Sequence, residues 1–451
     1  MKASERFRVW TAVWISLALA ASQVALAQTA ERWIPTWVAA PQQGRPAQPI
    51  RIPQAPAAAA QPPAATQSAA PARPLGPVVS FNHQTVRMVV RTSIGGNRVR
   101  IQLSNAYGGA PLDIGSAHIA LRGKDSAIAA GSDRALTFSG KRSFSIPVGA
   151  IAVSVPVSLD VPARGNLLFS VFVPGDTGPA TLHSVGLHTT YISKEGDSTG
   201  ASEIADPATS QSWYWLSSVD VASSAQAAAL VTFGDSITDG TRSTPNTNSS
   251  WPSFLAARLL SGGDAPRLAV LNEGISGNRI LRDGIGPAGL ARFDRDVLTQ
   301  PGVKWVTILE GINDIGAGIG EAFVFGPRPN APPSENPTPD DLIGAYLQMI
   351  ERAHTHGIRV IGCTLLPFEG AAYYSEGGNT VRQAVNQWIR TSHAFDAIVD
   401  FDAVMRNPAK PNTVRAEFDS GDHLHPNDAG YKAMADAVDL SIFTPGSRAK
   451  N

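Results

Sequence analysis

Ala227-Ala228-Ala229-Leu230-Val231-Thr232-Phe233-Gly234-Asp235-Ser236 runs from an apolar stretch straight into a polar turn. An unbroken apolar run of this length reads as a strand buried on both faces, the kind a parallel sheet makes. Gly234 permits a tight turn behind it, and Ser236 then stands at the strand's carboxyl end. The same pattern returns downstream. Strands are expected over Leu268–Asn272, Trp305–Glu310, Arg359–Leu365 and Ala397–Asp400. Amphipathic helices are expected over Trp251–Leu260, Asp341–His356, Thr380–Ser392 and Pro426–Leu440. Apolar strands alternating with helices imply an α/β domain whose parallel sheet has helices on both faces. Sites on such sheets form at the carboxyl ends of the strands.

Three polar turns that contain glycine follow strands directly. The first is Gly234-Asp235-Ser236. The second is Asn272-Glu273-Gly274-Ile275-Ser276-Gly277-Asn278, and the third is Glu310-Gly311-Ile312-Asn313-Asp314. Near the C-terminus the chain reads Asp422-His423-Leu424-His425-Pro426. A serine with a histidine base and an aspartate to orient that base is the equipment for acyl transfer. Gly277 can offer a backbone N–H, and the Asn313 amide can donate to a developing oxyanion. His425 is preferred to His423 as base, because His423 is adjacent to Asp422 and its side chain points away. Asp422 is preferred to Asp419 as orienter, while Asp400 and Asp402 suit a capping role. Pro426 suits the first position of the closing helix. Each turn taken alone is an ordinary cap or loop; their order along the chain gives them weight.

These blocks closely resemble those of the SGNH (GDSL-type) esterase superfamily. Gly234-Asp235-Ser236, Ile275-Ser276-Gly277-Asn278, Gly311-Ile312-Asn313-Asp314 and Asp422–Pro426 match its motifs over about Ala227–Phe443. The resemblance implies a flavodoxin-like three-layer α/β/α domain. It implies Ser236, His425 and Asp422 as catalytic residues, and the Ser236 and Gly277 backbones with the Asn313 side chain as oxyanion donors. It calls for neither cofactor nor metal. Asp235, Arg279 and Trp251 stand as candidate substrate contacts, with Arg282 beside Arg279 and with Tyr373, Tyr374 and Trp388 as further members of a sugar-stacking platform. Salt bridges and core packing are the competing readings for all of these.

Upstream, residues 78–222 read as all-β. Strands are expected over Thr85–Thr92, Arg98–Ser104, Ser116–Leu121, Ser143–Ile146, Ala152–Leu159, Asn166–Phe172 and His188–Ile192. Ile94-Gly95-Gly96-Asn97 has the chemistry of a hairpin turn. A jelly-roll-like β-sandwich fits best. Val99–Gly108 and Trp213–Val221 are similar to segments of secreted members of one SGNH subgroup, described mostly as acyl hydrolases and partly linked to xylan degradation. Residues 28–77 read as a short apolar piece, Trp33–Ala39, and then a Pro/Ala/Gln-rich flexible stretch. The hydrolase domain is expected over 223–451.

Lys2, Arg6 and Arg8 precede an apolar stretch that ends at Ala25-Leu26-Ala27, the form of a cleaved export signal over 1–27. No stable membrane insertion is expected after cleavage, and the location is periplasmic or extracellular. The chain has 37 basic and 37 acidic residues, a balance that argues against nucleic acid as a partner. Its one cysteine, Cys363, excludes an internal disulfide and sits in a strand-like run. His183 and His188 lack a third ligand for a metal site.

The expected function is a secreted esterase that removes small acyl groups from a polysaccharide. An aryl-ester, short-chain lipid or lysophospholipid hydrolase is the second reading. A glycan-binding module or an acyltransferase on the same scaffold is the third. Acyl length, the alcohol, the β-domain's ligand and the oligomeric state leave no mark in the sequence.

Overall fold

The computed structural model describes residues 31–44, 80–223, 226–261, 268–316 and 337–444. The export-signal reading and most of the Pro/Ala-rich stretch fall outside these residues. No described helix is long and apolar enough to cross a membrane.

In the C-terminal half, five strands form a parallel sheet in the order Leu268–Gly274, Ala228–Gly234, Val303–Leu309, Arg359–Cys363, Ala397–Val399. This is the 2-1-3-4-5 order of a flavodoxin-like domain, with its switch point beside the first strand. The central strand Ala228–Gly234 is buried along its whole length, which is why it reads as one apolar run. Helix Trp251–Ser261 packs on Asp428–Ala437, and Pro339–Thr355 packs on Glu376–Thr391. Thr338 and Asp341 cap the Pro339–Thr355 helix reciprocally: Thr338 Oγ1 accepts from the Asp341 amide and Asp341 Oδ2 accepts from the Thr338 amide. The last helix starts later than Pro426. Asn427 is its cap, accepting from the Gly430 amide at 3.0 Å, so Pro426 precedes the cap instead of opening the helix.

The N-terminal half is antiparallel β-structure. One sheet runs Arg32–Val38, Leu216–Ser223, Gly96–Ser104, Val157–Val161. A six-stranded sheet contains Gln84–Arg91, Asn166–Val173 and Ser116–Leu121 as neighbours. Three expectations are corrected here. Arg32–Val38, expected outside the β-domain, is an edge strand of it, paired with Leu216–Ser223. Ala152–Leu159 is two strands, Ile151–Val153 and Val157–Val161. The glycines at 95 and 96 do not close a hairpin, because Gln84–Arg91 and Gly96–Ser104 belong to different sheets. They are small because other backbone passes close by. A Cβ on Gly95 would lie 2.6 Å from the Val161 carbonyl oxygen, and one on Gly96 would lie 2.6 Å from that of Ala222.

The halves are docked by polar contacts as well as by a shared apolar core. Arg295 donates to Tyr107 Oη at 2.8 Å, the Asn246 amide donates to the Leu187 carbonyl at 2.8 Å, and Gln42 Nε2 donates to the Ile285 carbonyl at 3.3 Å.

Candidate active site

Strand Ala228–Gly234 ends at Asp235, whose extended backbone and side chain cap the one-turn helix Ser236–Asp239. Asp235 Oδ1 accepts from the Ile237 amide at 2.9 Å. The Ser236 hydroxyl lies 2.8 Å from His425 Nε2, and His425 Nδ1 lies 2.8 Å from Asp422 Oδ2. The loop prearranges this pair, since Asp422 Oδ1 accepts from the amides of Leu424 at 3.1 Å and His425 at 2.8 Å. Arg242 Nε, on a mostly exposed side chain, donates to Oδ2 at 3.1 Å. Burial would raise the Asp422 carboxyl, but the hydrogen bond and charge of His425 and the two amides outweigh it and hold it well below the ordinary range. With Nδ1–H committed to the carboxylate, the Nε2 lone pair faces the serine hydroxyl. His423 takes a left-handed backbone (φ 60°) and turns to Asp419, 2.6 Å away.

The second and third turns meet beside this pair. Gly277 has φ +76°, and a Cβ there would lie 2.3 Å from Ile285 Cδ1. Asn313 sits in the helical turn 312–316, donates from Nδ2 to the Asn278 carbonyl at 2.9 Å, and accepts from Tyr373 Oη at 3.4 Å. Asp314 ties the two turns together by accepting from the amides of Ile280 at 2.8 Å and Leu281 at 3.0 Å.

Arg292 organises the floor and was not expected from the motifs. It has no exposed side-chain surface. It donates to the Gly234 carbonyl at 2.8 Å, the Glu273 carbonyl at 2.7 Å, Asn278 Oδ1 at 2.7 Å and Glu310 Oε2 at 3.2 Å. One guanidinium thus joins the ends of the first, second and third strands. Its spacing from Asp296, which it contacts at 3.1 Å, is the one local signal of this role. Around it, burial pushes Glu310 up to about 8 despite Arg292, and burial pushes Asp235 up to about 7. Arg292→Gln is expected to destabilise the protein by about 3–5 kcal/mol, the cost of breaking a buried ion pair from one side, as read by urea denaturation.

A second buried contact crosses between the halves. His183 Nδ1 faces the Ala40 carbonyl at 3.0 Å, and its Nε2 faces Asp239 Oδ1 at 3.0 Å. Asp239 Oδ2 in turn accepts from the Ser276 amide at 3.0 Å and the Ser276 hydroxyl at 2.6 Å, next to Gly277. Both ring nitrogens of His183 face acceptors, so the ring carries both protons and a positive charge. Burial opposes that charge, but the Asp239 carboxylate and the Ala40 carbonyl outweigh it, and the pKa is raised. The resulting stabilisation is complete below the ordinary histidine value of 6.5 and is lost as pH rises through the raised native value. The thermal midpoint of the wild type is therefore expected to fall as pH rises above 6.5, and that of His183→Gln to fall less over the same range.

The candidate substrate contacts need correction. Trp251 is fully buried and packs edge-on to Phe401 at 5.5 Å, so it offers no face to a sugar. Asp235 is 1% exposed and acts as the helix cap. Arg279 is buried too, its guanidinium packed over Gly284. Trp388 stacks on Tyr346 at 6.1 Å, and Tyr374 packs on Phe368 at 5.1 Å. Of the proposed aromatic platform, Tyr373 is the member that reaches the site, through Asn313. Among the described residues, no group of three metal-ligating side chains occurs.

A serine hydrogen-bonded to a histidine–aspartate pair at the switch point of a parallel sheet defines the serine-hydrolase class of α/β domain. Residues 232–433 match the model of the GDSL-like lipase/acylhydrolase family. The chain therefore carries a GDSL-like lipase/acylhydrolase domain and is a carboxylic ester hydrolase. Among solved structures it is similar to a GDSL-like lipase from Bacteroides thetaiotaomicron, 21% identical, which covers 48% of this chain and 87% of that one with a TM-score of 0.34. It is also similar to an acetyl xylan esterase from Geobacillus stearothermophilus, 23% identical, which covers 47% of this chain and 92% of that one with a TM-score of 0.34. An α/β hydrolase from the metagenome of Lake Arreo is 22% identical and covers 48% of this chain and 94% of that one with a TM-score of 0.36. No curated protein matches the chain.

Proposed function

We propose that this esterase is exported and removes acetyl or similar small acyl groups from a polysaccharide, through an acyl-enzyme on Ser236. The observation that carries the mechanism is the continuous set of contacts from Ser236 through His425 to Asp422. Ser236 Oγ attacks the ester carbonyl while His425 Nε2 takes its proton. Asp422 holds the tautomer and stabilises the imidazolium. The oxyanion is met by the backbone N–H groups of Ser236 and Gly277 and by the Asn313 amide. His425 then protonates the leaving alcohol, and water attacks the acyl-enzyme to release the acid. Support for the carbohydrate substrate is the docked β-domain. Support for export is the basic and then apolar N-terminal sequence.

Two outcomes test the oxyanion side. Asn313→Ala is expected to lower kcat by roughly 10²–10³ with little change in KM, since an oxyanion donor acts mainly in the transition state. Gly277→Ala is expected to lower kcat as well, because the new methyl meets Ile285 and the backbone must leave φ +76°. Substrate class is tested by acid release from acetylated xylan, p-nitrophenyl acetate and a lysophospholipid, with wild type and Ser236→Ala in parallel. Serine-dependent acetate release from xylan supports the proposal. Turnover confined to the aryl ester or the lipid keeps the mechanism and overturns the polysaccharide.

A further inference from the structure

One residue of the β-domain reaches toward the turn that carries Gly277. His183 ends the strand Thr181–His183, which pairs with Gln42–Gln43 and with Trp213–Tyr214. Its side chain is 4% exposed and is held at both nitrogens, by the Ala40 carbonyl and by Asp239 Oδ1, each at 3.0 Å. The Trp213 ring lies 5.5 Å from the imidazole. Packing and two hydrogen bonds thus leave the ring one orientation.

Asp239 carries that contact into the hydrolase domain. It closes the one-turn helix that begins at Ser236, its amide donating to the Asp235 carbonyl at 2.9 Å. While Oδ1 faces His183, Oδ2 accepts from the Ser276 amide at 3.0 Å and the Ser276 hydroxyl at 2.6 Å. The second turn lies directly on this helix. Asn272 Nδ2 donates to the Thr238 carbonyl at 3.0 Å, and a Cβ on Gly274 would lie 2.2 Å from the Asp239 amide nitrogen. A cavity of about 170 Å³, lined in part by Asp239, His183 and Ser243, opens beside the pair. A carboxylate released by His183 would be a buried charge without a partner, and it has room to turn into this space.

Ser276 precedes Gly277 in the turn 275–278, which the Asn278 amide closes by donating to the Ile275 carbonyl at 3.0 Å. Gly277 is third in that turn and has φ +76°, the type II pattern. The type I alternative differs by a flip of the Ser276–Gly277 peptide, which would put φ at the third residue near about −90°. That flip would swing the Gly277 N–H to the opposite side of the turn. Ser276 is pinned to one carboxylate oxygen by both of its donors, and this opposes the flip. The carboxylate stays in place because His183 holds its other oxygen.

We propose that His183 is a positioning residue for ester hydrolysis: through Asp239 and Ser276 it keeps the 275–278 turn in the form that aims the Gly277 N–H at the oxyanion. The β-domain thereby contributes to turnover itself. His183 bonds to neither Ser236 nor His425 and acts through Asp239. The inference rests on the reading of Gly277 as an oxyanion donor.

The test is a double-mutant cycle on p-nitrophenyl acetate hydrolysis, with His183→Gln, Ser276→Ala and the two together. His183→Gln is expected to lower kcat by about 10–100-fold with KM within about twofold of wild type, because a displaced oxyanion donor is felt mainly in the transition state. Ser276→Ala is expected to lower kcat in the same way. The double variant is expected to lose clearly less than the product of the two single losses, since both act on one carboxylate. Ser276→Ala leaves the domain interface intact, so it reads the turn even where His183→Gln does not fold. Tyr107→Phe is the control. It removes another interdomain hydrogen bond, the one from Arg295 at 2.8 Å, and is expected to leave kcat unchanged. The proposal is overturned by kcat within about twofold of wild type in either single variant, or by a change confined to KM. It is also overturned by losses that multiply in the double variant, or by an equal fall in Tyr107→Phe. A loss in Asn313→Ala and Gly277→Ala beside a fully active His183→Gln removes this inference alone. Unchanged kcat in Asn313→Ala and Gly277→Ala removes the oxyanion reading, and this inference with it.

Discussion

Ser236→Ala is expected to lower kcat for ester hydrolysis by on the order of 10⁶, the largest loss any single substitution should cause here. The reason lies in what the variant keeps. Gly277, Asn313 and the surrounding turns are held by Arg292, Asp314 and Asp239, none of which depends on the serine hydroxyl. Substrate should therefore still bind, with KM near the wild-type value. What disappears is the atom that His425 can deprotonate, and with it the acyl-enzyme. A residual rate of about 10³–10⁴ over water remains reasonable from bound substrate and oxyanion donors alone. Initial rates on p-nitrophenyl acetate measure the loss. Intact mass after reaction with a fluorophosphonate should show one added phosphonyl group on wild type and none on the variant. Rates within about a hundredfold of wild type would falsify Ser236 as nucleophile.

The hydrolase fold was readable because a central parallel strand is covered on both faces and must be apolar throughout. Ala228–Gly234 satisfies that in the sequence before any partner is known. Asp422 and His425 were readable because their contact is local, three residues apart on one turn. The contacts that were not readable are long-range. Nothing around His183 points to Asp239, which it meets only after two domains have docked. Arg292 looks like a solvated helix residue until the ends of three strands converge on it. Trp251 was open to a better reading. It begins a stripe with Leu255 and Leu259, all buried, at the spacing of one helix face. The glycines at 95 and 96 were misread because close packing and turn formation both call for the same residue. The edge strand Arg32–Val38 was missed because its partner, Leu216–Ser223, lies far along the chain.

Asp422→Asn is expected to lower kcat by about 10⁴ while leaving KM nearly unchanged, through the wrong histidine tautomer. The contacts dictate which way the new amide points. Oδ1 accepts from two backbone N–H groups and from Ser420 Oγ at 3.2 Å, so the retained carbonyl oxygen stays there. The new NH₂ must then occupy the Oδ2 position, where it meets the His425 Nδ1–H and the Arg242 Nε–H, donor against donor. The ring relieves this by moving its proton to Nε2, the atom that must take the proton from Ser236. Stability should change with a defined sign. The depressed Asp422 pKa contributes stability above the unfolded carboxylate value near 3.9, lost as pH falls through the native value. The melting temperatures of wild type and Asp422→Asn should thus differ at neutral pH and converge in acid. Arg242→Gln is the control. Its side chain is 61% exposed, and a surface pair of that kind contributes little, so kcat should change by less than about tenfold. If Asp422→Asn instead stays within tenfold of wild type, the orienting carboxylate lies elsewhere. Asp419 would then have to leave His423 to reach the base, a rearrangement that Asp419→Asn, tested beside it, would expose.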